Sequence, residues 1–114
     1  MATLYKIVAA AHWQAAVHDG VFRGSAVDLR DGYIHFSTSA QVEETAAKHF
    51  AGQDGLLLIS VDEVRLGDRL KWEPSRGGAL FPHLYGELAL ASVTNVEPLT
   101  VLPDGRHKFP QLLP

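Results

Sequence analysis

The sequence predicts one α+β domain, with helices in its first half and short strands in its second half. Helix-like apolar spacing and a helix-capping pattern occur before residue 52, whereas short apolar runs separated by Gly and Pro recur after residue 84. The chain has 114 residues, which is room for a single domain. We therefore expect a compact domain over residues 1–114, with two helices in its N-terminal half and mostly antiparallel or mixed β-sheets.

The first elements are predicted to be a strand and a short helix. Residues 4–9 form a nearly continuous apolar run, which is typical of a buried strand. Trp13, Ala16 and Val17 then follow at helical spacing, and Gly20 is suited to end the helix. Residues 21–32 are rich in Gly, Ser and Asp, so we expect an irregular loop there.

A second strand and a well-marked helix come next. The alternation in residues 33–37 predicts a strand, with every second side chain on one face. Thr38 and Gln41 then match the Ser/Thr-x-x-Gln capping box, which predicts a helix that extends to about residue 51.

The remainder of the chain predicts strands and turns. Residues 56–61 are apolar and β-rich, which favours a central strand, and residues 64–72 are expected to form one or two strands. A long loop punctuated by Gly and Pro is expected to follow Pro74. Short strands are then predicted near 88–90, 92–96 and 99–102, and the Pro103-Asp104-Gly105 turn predicts a C-terminal hairpin or tail over about 100–114.

Composition excludes several functional classes. The chain has no cysteine, which rules out disulfide scaffolds, thiolate nucleophiles and zinc ribbons. Its formal net charge is −3 and it has no dense basic run, which argues against duplex DNA as a partner. The longest uninterrupted apolar run is far shorter than the roughly 20 residues of a membrane span, so we expect a cytoplasmic protein without a membrane partner.

Two segments hold most of the polar residues that composition does not explain. In residues 32–38, a strand places Tyr33, His35 and Ser37 on one face, next to Thr38. The alternative is that Thr38 or Ser39 only caps a helix and that His35 is a hydrogen-bonded histidine of the core wall.

The second segment, residues 72–86, presents a carboxylate, a guanidinium, an imidazole and a phenol. These groups belong to Glu73, Arg76, His83 and Tyr85. Long irregular loops in small domains are usually functional or disordered, and this segment is too aromatic for disorder. The alternative is an ordinary loop in which Glu73 pairs with Arg76, while Trp72, Phe81 and Tyr85 anchor the core.

Other chemistries have weaker support. The sequence lacks a nucleophile elbow, a phosphate-binding P-loop and a dinucleotide-binding glycine motif. His35, His83 and Glu73 would form a two-histidine, one-carboxylate metal site if the fold brought them together, and this is a further alternative.

The sequence resembles the bacterial family catalogued as domain of unknown function 952. The likeness is carried by the segments Asp31-Gly32-Tyr33-Ile34-His35-Phe36-Ser37-Thr38, Trp72-Glu73-Pro74 and Phe81-Pro82-His83-Leu84-Tyr85-Gly86, and it covers residues from about 3 to 99. That family is in turn similar to the ADP-ribosyltransferase fold, which includes NAD-consuming transferases and RNA 2′-phosphotransferases.

This resemblance implies roles for particular residues. His35, followed by Ser37 and Thr38, would hold the adenosine-side ribose of NAD. Tyr85, or else Tyr33, would stack on nicotinamide.

A glutamate would bind the ribose 2′-hydroxyl and stabilise the positive charge that develops as nicotinamide leaves. Glu73 is the first choice for this role and Glu87 the second. Glu73 precedes His83 and Tyr85, which departs from the usual order, and Arg76 with His83 would also fit a site that holds a phosphate.

The resemblance, together with the two polar segments, therefore implies an enzyme that handles NAD or ADP-ribose by cleaving the glycosidic bond of the nicotinamide ribose. The alternative is a non-catalytic module that binds a nucleotide or a phosphate. No cofactor or metal is expected, and NAD enters only as a possible substrate. The proposed catalytic residues are Glu73, His35 and His83, and the proposed ligand-binding residues are Tyr33, Ser37, Thr38, Arg76 and Tyr85.

Overall fold

The computed structural model describes residues 2–114, apart from the side chain of Arg76. The helices, in chain order, are α1 (Ala10–Asp19), α2 (Ala26–Asp31) and α3 (Val42–His49). The strands are β1 (Thr3–Ala9), β2 (Val21–Phe22), β3 (Ile34–His35), β4 (Leu56–Asp62), β5 (Leu70–Pro74), β6 (Leu80–Leu84), β7 (Leu88–Ala89), β8 (Val93–Val101) and β9 (His107–Lys108).

Two antiparallel sheets organise the domain. One has the strand order β1-β4-β8-β9 and the other the order β3-β6-β5, while β2 and β7 form a small separate pair. Every strand pair in the described part of the chain is antiparallel. The fold is therefore a compact single-domain α+β fold, and β4 is a central strand, as the apolar run at 56–61 predicted.

In the part of the chain that the structure describes, one isolated backbone bridge joins the two main sheets. Tyr5 of β1 and Ser37 exchange both backbone hydrogen bonds, at 2.8 and 2.9 Å. Because β1 is the edge strand of its sheet and Ser37 follows β3, this bridge joins one sheet edge to the other.

Apolar side chains pack on both faces of β1 and β4. One cluster lies under α1 and includes Leu4, Val8, Trp13 and Ile59. The other lies under α3, where Val42 and Ala46 meet the opposite face of the sheet. Alternation along the strands explains this division, since neighbouring residues point to opposite faces.

Several predicted elements are confirmed. The first strand, the helix that follows it and the C-terminal hairpin are present as expected. Gly20 ends α1 with φ of 84°, and its N–H donates to the carbonyl of Ala16. Glycine reaches this left-handed conformation without the steric cost that a Cβ imposes. Val17, however, was expected on the apolar face and is 56% exposed.

The predicted loop at residues 21–32 is wrong. It contains β2 and α2, so the described N-terminal half has three α-helices rather than two. The carboxylate of Asp28 accepts a hydrogen bond of 2.9 Å from the backbone N–H of Ser25, which secures the start of this short helix.

The predicted loop after Pro74 is also wrong. β5 and β6 form a hairpin in which Glu73 faces Phe81 and Lys71 faces His83. Residues 63–69 form 3₁₀ turns rather than a strand, and the pieces expected at 92–96 and 99–102 belong to the single strand β8.

The main helix is shorter than the capping pattern predicted. α3 begins at Val42 and ends at His49. The Gln41 side chain does accept a hydrogen bond of 3.1 Å from the N–H of Thr38, as a capping box requires. Residues 39–41 form a turn of their own, so the helix begins about one helical turn later than the capping pattern predicted.

Candidate functional site

One face of the three-stranded sheet holds the polar cluster. On β3 and β6, alternate residues point away from the core, whereas Ile34 and Leu84 lie on the opposite face and are buried. The β5–β6 register adds every second residue of β5 to the polar face. The side chains on this face that the sequence singled out are Tyr33, His35, Glu73, His83 and Tyr85.

His83 lies at the centre of this cluster and is 3% exposed. Its Nδ1 lies 2.7 Å from Oε1 of Glu73, and His35 is its partner across the strand pair. The Tyr33 ring stacks on the His83 ring, with centroids 4.1 Å apart. Packing and hydrogen bonding therefore fix the orientation of this imidazole.

Glu73 connects His83 to Tyr85. The Tyr85 hydroxyl donates a hydrogen bond of 2.8 Å to the same Oε1 that faces His83. The hydrogen bond from His83, and then that from Tyr85, hold the pKa of the Glu73 carboxyl below its usual range. The hydrogen bond to Glu73 in turn raises the pKa of the Tyr85 phenol.

His35 is held by carboxylates at both ring nitrogens. Its Nδ1 lies 2.7 Å from Oδ1 of Asp28, and its Nε2 lies 3.1 Å from Oδ2 of Asp31. The backbone N–H of His35 also donates to Oδ1 of Asp28, at 3.1 Å. The ring is therefore more tightly constrained than that of an ordinary surface histidine.

Asp28 forms a buried ion pair with Lys6. The Lys6 Nζ lies 2.9 and 3.0 Å from the two carboxylate oxygens. Burial alone would raise the pKa of the Asp28 carboxyl, but hydrogen bonds from His35 and the charge of Lys6 outweigh it and hold that pKa well below its usual range. Burial lowers the pKa of the Lys6 ammonium, and Asp28 opposes that shift.

A cleft of about 580 Å³ lies against the histidines. Its walls come from the edge of β1, the start of α2, α3 with the residues that follow it, and the polar face of the sheet. This volume is within the range of small-molecule sites. Of the described side chains that the sequence proposed, His35, Ser37 and His83 line it, whereas Tyr33, Thr38, Glu73 and Tyr85 do not.

The remaining predicted residues have other surroundings. Ser37 is buried and its hydroxyl lies 3.0 Å from that of Thr45. Glu87 pairs with Arg23 at 3.0 Å, outside the cleft. The Arg76 side chain lies outside the described part of the structure, so its proposed ligand contact and its proposed pairing with Glu73 stay predictions.

The alternative reading of the second segment as core anchors is wrong for two of its three aromatic residues. Trp72 and Tyr85 are each 40% exposed, whereas Phe81 is buried.

Sequence reasoning missed Lys6 and Asp28. Lys6 sits inside the apolar run of β1, and a lysine buried there needs a charged partner. A lysine within an apolar run was therefore the sequence signal that could have revealed a buried ion pair. The partner's identity depends on how the chain folds, because Asp28 is 22 residues away.

Among residues 2–114, no group of three or more His, Asp or Glu side chains is arranged to hold a metal ion. The two-histidine, one-carboxylate hypothesis has a specific difficulty, because the Nδ1 of His83 and the carboxylate of Glu73 face each other rather than a common point. No helix in this part of the chain is both long and apolar enough to cross a membrane.

Comparison with known proteins identifies relatives of the whole fold. Residues 7–96 match the family model described as a protein of unknown function, DUF952. A crystal structure of protein CC0527 from Caulobacter crescentus is 51% identical, with a TM-score of 0.90 and coverage of 93% of both chains. A solution NMR structure of CC0527 is 52% identical, with a TM-score of 0.84 and coverage of 93% of this chain and 91% of that one.

No curated protein matches the chain. None of the matching descriptions names an ADP-ribosyltransferase, so that more distant relationship stays a prediction. The family model covers most of the sequence and includes both polar segments. The chain therefore belongs to the DUF952 family.

Proposed function

We propose that this protein binds NAD or a related ADP-ribose compound in the cleft and cleaves the glycosidic bond of the nicotinamide ribose. One observation carries the proposal. His83 lines the cleft, and its Nδ1 faces the carboxylate of Glu73, which lies outside the cleft. Nε2 is then the ring nitrogen left to act on a ligand. An imidazole oriented by a carboxylate is a common arrangement for general acid–base catalysis.

His83 would act as the general base. With Nδ1 donating to Glu73, the neutral ring offers a lone pair on Nε2. Nε2 removes a proton from water as its oxygen bonds to C1′ of the ribose. The bond from C1′ to the pyridinium nitrogen breaks, its electron pair stays on that nitrogen, and neutral nicotinamide leaves. The products are ADP-ribose, nicotinamide and a proton.

The other polar residues would have supporting roles. Glu73 acts through His83 and is a positioning residue, since its carboxylate is outside the cleft. His35 would orient the ligand, because it lines the cleft and its ring is fixed by Asp28 and Asp31. Tyr33 would maintain the plane of the His83 ring by stacking on it.

The test is to mix the protein with NAD and to follow both saturation transfer to the ligand and the release of nicotinamide by NMR. His83→Gln is expected to reduce the release rate by about 100-fold or more, the usual contribution of a general base. His18→Gln is the matched control, because that side chain is 91% exposed and lies outside the cleft. Release that persists in His83→Gln at the wild-type rate would contradict the assignment.

A second candidate function is a non-catalytic module that binds a nucleotide or a phosphate. It is favoured by the constraint on His35, whose two ring nitrogens both face carboxylates and whose role would be to hold rather than to react. In that case NAD would show saturation transfer that His35→Ala weakens, and no nicotinamide would form. The cytoplasmic location expected from the sequence belongs to both versions of the proposal.

A further inference from the structure

The edge of β1 that faces the cleft has an unfilled position in its hydrogen-bond pattern. In an antiparallel strand, the N–H and C=O groups of alternate residues point to the same side. Thr3 and Tyr5 use this side, since Thr3 donates to the carbonyl of Pro114 at 3.0 Å and Tyr5 pairs with Ser37. The next residue with this orientation is Ile7.

The backbone of Ile7 faces the cleft. Ile7 is one of the residues that line it, and as a whole residue it is 5% exposed. Its partner across the sheet is Leu58, but the alternation directs its N–H and C=O away from β4 and into the cleft. Among the described residues, which leave out the side chain of Arg76, these two groups have no hydrogen-bond partner. A strand edge whose N–H and C=O both face a cleft can bind an occupant that supplies one acceptor and one donor.

Asp28 explains why the protein itself does not fill this position. If the ladder continued beyond the bridge from Tyr5 to Ser37, Ile7 would pair with His35. The carboxylate of Asp28 accepts the hydrogen bond from the N–H of His35 instead, so the ladder does not continue from Ser37 to His35. The gap is thus maintained by a buried, multiply bonded side chain.

We propose that the β1 edge at Ile7 binds an extended peptide, which adds as a short strand inside the cleft. The same edge already accepts extended backbone at Thr3 and at Tyr5, so peptide backbone is the complementary group. The open stretch from Ile7 to Ala9 covers roughly 7 Å, enough for about three peptide residues.

The surroundings match a strand with alternating side chains. The cleft walls come from opposite sides of the β1 edge: His12 and Val27 belong to the helices near one side, and Thr45 and Phe50 lie in or next to α3 on the other. Successive side chains of an added strand point to opposite faces, so each wall would receive alternate residues of the peptide. A bound peptide would place one of its side chains near His83. If the proposed NAD chemistry is correct, a hydroxyl or amine of that side chain would take the place of water: it loses a proton to Nε2 of His83 and bonds to C1′, while nicotinamide leaves with the electron pair of the broken bond.

The first measurement is amide hydrogen exchange of the full ¹⁵N-labelled chain without ligand. Lys6 and Val8 pair with β4, and their N–H groups are expected to exchange at least about 100-fold more slowly than that of Ile7. Equal protection of all three amides would show that Ile7 already has a partner and would overturn the proposal.

The second measurement adds a mixed-sequence pool of N-acetylated, C-amidated tripeptides at about 10 mM, which detects weak binding. We expect the Ile7 amide proton to shift downfield and its exchange to slow by about tenfold or more. A pool with N-methylated peptide bonds lacks the donor and should have no effect. An unchanged Ile7 signal, or a response to benzamide but not to peptides, would overturn the assignment of a peptide.

A pair of variants tests the backbone directly. The readout for the variants is saturation transfer from the protein to the tripeptides. Ile7→Pro removes the N–H that faces the cleft and should abolish this transfer, and Ile7→Val keeps that N–H and should preserve it. If Ile7→Pro does not fold, the contrast between normal and N-methylated peptides on the wild-type protein decides the matter. Peptide binding is measured without NAD, so its failure is distinguishable from failure of the glycosidic reaction.

Discussion

Asp28 is the side chain on which the geometry of the cleft depends. It is 1% exposed and bonds to Lys6, to the backbone of Ser25 and to both the backbone and the ring of His35. Removing one member of a buried ion pair leaves the other charge without compensation, which is more damaging than losing a surface pair. Asp28 therefore links three elements that the sequence separates.

Asp28→Asn is expected to lower the free energy of unfolding by about 3 kcal/mol, because the Lys6 charge loses its partner. Urea denaturation measures this change. Asp31→Asn is the matched control and should lower it by no more than about 1 kcal/mol, since the Asp31 side chain is 30% exposed. Equal losses in the two variants would contradict the central role of Asp28.

The effect of Asp28 on stability should depend on pH. Its pKa is depressed in the folded state, so its contribution is complete above the unfolded value of about 4 and is lost as the pH falls towards the folded value. The difference in unfolding free energy between wild type and Asp28→Asn should therefore shrink below about pH 4. A difference that stays constant between neutral pH and pH 3 would contradict the depressed pKa.

The carboxylate of Glu73 offers a spectroscopic test of the polar cluster. The hydrogen bond from His83 depresses its pKa more than that from Tyr85. An NMR titration of the Glu73 carboxyl carbon should therefore show a larger rise in pKa for His83→Gln than for Tyr85→Phe. Glu73→Gln should also lower the pKa of the Tyr85 phenol towards its ordinary value of about 10, whereas the exposed control Glu43→Gln should not.

At the scale of elements, the connection between β2 and α2 has a precise steric requirement at Gly24. Its φ is +124°, and a Cβ placed there would lie 2.8 Å from Cβ of Asp28. Both the conformation and the contact exclude a larger residue without a shift of α2.

Gly24→Ala is expected to lower the free energy of unfolding by about 2 kcal/mol or more, since backbone strain and a clash add. Gly20→Ala is the matched control, with φ of +84° and no atom within 4 Å of the added Cβ, and should lower it by only about 1 kcal/mol. Thermal unfolding of the two variants gives the comparison. A Gly24→Ala protein as stable as Gly20→Ala would indicate that α2 can move freely.

The elements that sequence could predict are those whose signals are local. The apolar runs of β1 and β4 and the Gly20 terminus of α1 each follow from a few consecutive residues. α2 was missed because its six residues have no clear apolar period and its stabilising contacts, from Lys6 and His35 to Asp28, come from distant strands.

The same distinction applies to the site. Alternation correctly placed Tyr33 and His35 on one face, and the centroids of their rings are 4.6 Å apart. It could not show that Glu73 lies behind His83 rather than in the cleft, because this depends on the register of β5 against β6. Nor could it show that the N–H of His35 bonds to Asp28 rather than to the edge of β1 at Ile7.

In the molecule as a whole, the C-terminal segment, residues 109–114, packs against β1 and the cluster beneath α3. Pro114 accepts a hydrogen bond from Thr3, and the Tyr5 hydroxyl both donates to the carbonyl of Leu113 and accepts from its N–H. Phe109 and Leu112 are partly buried against the cluster beneath α3. Residues 109–114 therefore support the strand that forms one wall of the cleft.

Deletion of residues 109–114 is expected to lower the free energy of unfolding by about 2–3 kcal/mol, from the partial burial of two large apolar side chains. For a domain of this size that corresponds to a fall in Tm of roughly 10 °C. Tyr5→Phe removes only the hydroxyl contacts to Leu113 and should lower the free energy of unfolding by about 1 kcal/mol, which separates apolar packing from hydrogen bonding.

Since Thr3 loses its partner in the deletion, its amide should also exchange faster with solvent. Lys6, which pairs with β4, should keep its protection relative to global unfolding. If the deletion left both Tm and the Thr3 amide unchanged, the segment would not brace β1, and the wall of the cleft would depend on the Tyr5–Ser37 bridge and Asp28 alone.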